Sequence, residues 1–84
     1  MSRLSVDLHA CFRDGRGIDA ALEGAIEEAC DKRLRVVEII HGKGSGQLKK
    51  RVLRFLQRPG VKARYHRVEK DSKNHGRLFV HFRH

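Results

Sequence analysis

Asp7 and His9 stand two residues apart near the start of the chain. In an extended segment residues i and i+2 share a face, so this pair offers a carboxylate and an imidazole that titrates near neutrality to the same side. Such a pair can bind a divalent ion, Mg or Mn, or divide general-base and general-acid work between its members. It is equally compatible with a strand end whose Asp caps a loop and whose His bonds to backbone, and Asp-x-His alone does not choose.

A second segment, His41-Gly42-Lys43-Gly44-Ser45-Gly46, has a more direct chemical use. Glycines let backbone N–H groups turn toward an anion without interference from Cβ, and a helix opening behind them adds its N-terminal dipole. Lys43 supplies a full charge between two glycines, and Ser45 can donate one more hydrogen bond. Phosphate is the natural guest; the alternative is a tight strand-to-helix turn. A Walker nucleotide loop is excluded, because it needs a glycine five positions before the Gly-Lys pair and Ser or Thr after the lysine, where this chain has Val37 and Gly44. No nucleoside triphosphate site is expected.

Basic residues add two further candidate surfaces. Lys50, Arg54 and Arg58 are four apart and make an outward stripe on a helix, with Lys49 and Arg51 beside it. Lys62, Arg64 and His66, on an expected strand, share a helix-free sheet face with Phe79 and His81, where an exposed aromatic among bases suits a stacked nucleobase. Reading the alternation one residue out of register makes Phe79 core instead.

These residues need a scaffold, and the chain is short. It has 84 residues, 19 Lys+Arg against 10 Asp+Glu, a formal charge of +9, 39% hydrophobic residues and one Pro. That composition indicates one small domain, residues 1–84, too short for a cofactor-enclosing α/β barrel. The charge attracts polyanions, which makes nucleic acid the first candidate partner; mere solubility is the alternative. No apolar run is long enough for a membrane span, and Met1-Ser2-Arg3-Leu4 does not open a secretory signal. Cys11 and Cys30 are far apart in the chain, so a reduced, cytoplasmic setting is expected, without a structural zinc.

Residues 3–9 alternate, with Leu4, Val6 and Leu8 on one face of a strand. After a glycine-containing loop in which Gly17 stands at the N-cap, Ile18, Ala21, Leu22, Ala25, Ile26 and Ala29 mark one helical face. The β-branched run 36–40 is a central strand, and Leu48, Val52, Phe55 and Leu56 define a second helix that runs to about Gln57, before Pro59-Gly60. Val61, Ala63 and Tyr65, then Leu78, Val80 and Phe82, indicate two more strands. The order β-α-β-α-β-β predicts a two-layer α/β sandwich, a four-stranded mixed sheet with two helices on one face. The first two strands, joined through a helix, should be parallel, bringing Asp7 and His9 to the same edge as the 41–46 segment.

Asp7-Leu8-His9 after an apolar alternation, Ile39-Ile40-His41-Gly42-Lys43-Gly44-Ser45-Gly46-Gln47-Leu48-Lys49, and Gly76 before the final strand together resemble the Smr domain, the small MutS-related family. Ala10 stands where that family usually has glycine. The resemblance covers nearly the whole chain and implies a sandwich similar to the C-terminal domain of a bacterial translation initiation factor. It implies an endonuclease that nicks DNA or cleaves RNA, with Asp7 and His9 as the candidate catalytic pair and His41 to Gly46 as the binding loop; as an imidazole at the same edge, His41 is the alternative to His9 for protonating the leaving oxygen and joins the catalytic candidates. Gly42, Lys43, Gly44, Ser45 and Gly46, with Lys49, Lys50 and Arg54, are the expected nucleic-acid-binding residues. The alternative is a non-catalytic module for branched DNA, structured RNA or a ribosomal surface.

Overall fold

In the computed structural model, residues 3–8, 15–42, 46–71, 73 and 76–83 are described, Gly15 and Arg16 by their backbone alone. Among the described residues seven elements follow one another: β1 (Arg3–Asp7), α1 (Gly15–Asp31), β2 (Val36–Ile40), α2 (Gln47–Leu56), α3 (Pro59–Lys62), β3 (Arg67–Lys70) and β4 (Arg77–His81). The strands form one mixed sheet in the order β1-β2-β4-β3. β1 and β2 are parallel, as the helical crossover requires, while β4 is antiparallel to both β2 and β3.

Alternation sorts the side chains. Val37, Ile39, Leu78 and Val80 are fully buried against the helical layer, where Ile18, Leu22, Ile26, Val52, Phe55 and Leu56 complete the core. β2 lies between β1 and β4, as its apolar run predicts. Gly17 lies inside α1 rather than capping it. The first-turn amides of a helix have no intrahelical acceptors, so a helix can begin a turn early without loss of hydrogen bonds. At the other end, Arg33 adopts φ 53°. There the Leu34 amide donates to the Ala29 carbonyl at 2.8 Å and that of Arg33 to Cys30 at 3.3 Å, a Schellman closure.

The chain departs from expectation after α2. Pro59 ends nothing that continues; it starts a third helix, because its fixed φ and missing N–H suit a first helical turn. Lys62 therefore belongs to α3, and Val61, Ala63 and Tyr65 form no strand. Tyr65 is buried, and its hydroxyl donates to the Leu56 carbonyl at 2.8 Å, serving one of the orphan acceptors at the end of α2. The third strand lies later, at Arg67–Lys70, a short, charged edge strand whose one partly buried apolar residue is Val68. The two-layer α/β architecture and the four-stranded mixed sheet hold, with three helices in place of two.

Candidate functional site

The parallel pairing of β1 and β2 sets Asp7 opposite Ile40, and the Leu8 amide donates to the Ile40 carbonyl at 2.9 Å. The carboxyl ends of both strands thus share an edge, as the topology predicts. Asp7 is exposed there. His9 falls outside the described residues, as do Lys43, Gly44 and Ser45, so their expected roles stand on sequence alone.

The ends of the glycine segment are well defined. The amides of His41 and Gly42 both donate to the Gly76 carbonyl at 2.9 Å, which ties the start of the segment to the residue before β4. The Gly42 amide is therefore committed within the protein. Gly42 and Gly46 take φ 83° and 88°, a region L side chains rarely enter, so glycine at both positions is a backbone requirement. Gly46 is the N-cap of α2 and provides no side-chain cap. The first intrahelical bond runs from the Lys50 amide to the Gly46 carbonyl at 2.9 Å, which leaves the amides of 47–49 without intrahelical acceptors. The first turn of α2 has no acidic residue and holds Lys49, with Lys50 following. Cations at the positive end of a helix dipole repel it, a cost that a bound anion would relieve.

His41 is 3% exposed and continues the inward series of Val37 and Ile39. Its Nδ1 lies 2.9 Å from the Gly42 carbonyl, which can only accept, so Nδ1 carries the proton and Nε2 a lone pair. Nε2 is enclosed, with no partner among the described residues. Burial pushes the imidazole below its ordinary value of 6.5; the Gly42 bond opposes this and the nearby Lys49 charge adds to it. His41 is thus neutral at physiological pH and turned away from the exposed face that carries Asp7.

On helix α2, Lys50 and Arg54 are exposed as expected. Arg58 is exposed too but lies beyond the end of α2, and its guanidinium, like that of the half-buried Arg51, reaches the Asp19 carboxylate on α1, with nitrogens 3.2 and 3.4 Å away. Arg58 also lies over the Phe55 ring, 5.1 Å from its centroid. The expected grouping of Lys62, Arg64 and His66 with Phe79 does not form, because their segment is not a strand. In its place the helix-free face gathers Arg3, Glu38, Arg77, Phe79 and His81. Of these, Arg3, Glu38 and Arg77 are new to the site; a charged residue interrupting the apolar run 36–40 was the signal that could have found them. Among the described residues no three His, Cys, Asp or Glu side chains gather to hold a metal ion. No helix among them is long and apolar enough to cross a membrane.

The family model of the Smr domain matches residues 6–83. The chain belongs to the Smr domain family. The crystal structure of the Smr domain of Thermus thermophilus MutS2 is similar in fold, with a TM-score of 0.79 and 25% sequence identity, over 96% of this chain and 99% of that one. No curated protein matches the sequence. Membership associates this Smr domain, at the level of the family, with nucleic-acid-binding, nuclease-like modules.

Proposed function

We propose that this Smr domain binds the sugar-phosphate backbone of DNA or RNA at the edge where β1, β2 and α2 meet, and cleaves it. The observation that carries the reading is the opening of α2: an uncapped N-terminus behind Gly46, with lysines at its positive end, in a chain of charge +9. Lys43 and Ser45 add their charge and hydrogen bond to a phosphate oriented by the helix amides. Asp7 accepts a proton from the attacking water or 2′-hydroxyl, and His9 as imidazolium gives one to the leaving oxygen. His41 takes a positioning part: neutral, buried and bonded to the Gly42 carbonyl, it holds the turn that leads into the loop. A non-catalytic binding module is the second reading, favoured by Ala10, which stands beside the Asp7–His9 pair where the family usually has glycine.

Incubation with branched DNA and structured RNA, with and without EDTA, tests this beside the Asp7→Ala variant. The expected result is cleavage by the native chain and a loss of at least about a hundredfold in Asp7→Ala. Equal trace cleavage by both proteins rejects catalysis and leaves the binding module. Lys43→Ala should weaken oligonucleotide binding more than about tenfold, while costing the fold under about 0.5 kcal/mol.

A further inference from the structure

The open face of the sheet carries an arrangement that the phosphate edge does not use. In register, Ser5, Glu38, Phe79 and Glu69 form one row across all four strands. Phe79 is half-buried, and two guanidinium groups lie over its ring, Arg3 at 5.5 Å and Arg77 at 5.3 Å from the centroid. Both are held from the side. The Glu38 carboxylate takes Arg3 at 2.9 Å and Arg77 at 2.7 Å, Ser5 donates to it at 3.1 Å, and Asp71 takes the Arg77 Nε at 2.7 Å.

This geometry selects its ligand. Arg3 and Arg77 are balanced by Glu38 and Asp71, so the platform has little net charge to offer a phosphate. Carboxylates occupy edge donors of the guanidinium groups and the Phe79 ring supports one side of each, so the contact area left to a ligand is the flat surface turned away from those partners. Planar, uncharged aromatic rings suit such a surface, and both Phe and Arg stack nucleobases. Ordering two long side chains before binding also removes part of the entropic cost of forming the complex. The platform joins the phosphate edge: the next row on this face is Asp7, Ile40 and Arg77, one side-chain repeat or about 6.7 Å away.

We propose that the Arg3–Phe79–Arg77 platform stacks an unpaired nucleobase from the same strand whose phosphate sits at the α2 edge. The proposal rests on the nucleic-acid reading and adds a preference for single-stranded or looped segments, since a duplex keeps its bases inside the stack.

The test uses a fluorescent single-stranded oligonucleotide and its duplex, titrated against the whole chain and two variants. Phe79→Leu keeps an apolar side chain but removes the ring. It should lower single-strand affinity about tenfold, leave duplex affinity within about twofold, and leave the salt dependence unchanged, because stacking releases no counterions. The chain contains no tryptophan, so Phe79→Trp introduces a sole indole fluorophore at the platform. Its emission, read with unlabelled oligonucleotides, should be quenched by the single strand and not by the duplex, with affinity retained. Equal loss for both ligands, no loss, or indole emission that stays unquenched in Phe79→Trp at saturation overturns the platform; so does a change of oligomeric state in Phe79→Leu, which would assign the face to a second copy. Failure of the native chain to bind either ligand overturns the nucleic-acid reading itself.

Discussion

The two faces of the sheet share their strands but are held by different forces. Toward the helices, Val37, Ile39, Leu78 and Val80 are all fully enclosed by apolar neighbours. On the opposite face Glu38 is nearly as enclosed, at 6% exposure, yet no helix covers it. Its own ion partners do, with Arg3 from β1 and Arg77 from β4 closing over the carboxylate. Apolar burial gains free energy without regard to direction, whereas Glu38 must recover its desolvation through placed donors. The covered face therefore supplies stability, and the open face an ordered polar surface with defined geometry.

Breaking the covered face should have the largest effect. Leu78→Ala removes a fully buried side chain and is expected to cost about 2–5 kcal/mol, lowering the melting temperature by at least about 10 °C in a calorimetric scan. A measured cost below about 1 kcal/mol would show that this core is not tightly packed.

Breaking the open face should cost less. Glu38→Gln keeps the shape but loses the charge, for about 1–2 kcal/mol in denaturant titration, since both arginines can still reach water. The loss should depend on pH. Burial raises the Glu38 pKa, but the hydrogen bonds from Arg3, Arg77 and Ser5 outweigh it and hold the group below 4.5. The carboxylate's contribution is then complete above 4.5 and lost as pH falls through the folded value, so native and Glu38→Gln proteins should converge in acid.

His41 sharpens the comparison from the covered side. Its folded pKa lies below 6.5, so the unfolded chain binds more protons as pH drops past that value, and stability falls from there toward the folded pKa. A series of melting curves from neutral to mildly acidic pH should show this decline, and His41→Gln should flatten it. An identical slope in the variant would mean that other groups carry the dependence.

The smallest change in stability is expected at Lys50 and Arg54, both exposed on α2. Alanine at either should stay within about 0.5 kcal/mol of the native fold. Each should nevertheless reduce the salt slope of nucleic-acid binding by about one if it contacts phosphate. An unaltered slope in both variants would confine the contact to the 41–46 loop and Lys49.

The sequence by itself determined the elements whose signal is local. The apolar face of α1, the β-branched run of β2, the alternation of β4 and the glycines at 42 and 46 follow from side-chain period and backbone freedom, which neighbours along the chain decide. The Smr motifs were legible for the same reason, since each is a continuous segment. Tertiary structure alone decided that Val61 to Tyr65 is not a strand. Its alternation was real, but Pro59 could open a helix as well as close one, and in the folded chain it opens α3, with the buried Tyr65 hydroxyl serving the Leu56 carbonyl. It alone placed β3 at Arg67–Lys70, where a charged edge strand has little apolar pattern to read. It also assembled the Glu38 clamp, whose Arg77 partner is 39 residues away. Such contacts depend on strand register, and register is set by the packing of the whole sheet rather than by any one of its strands.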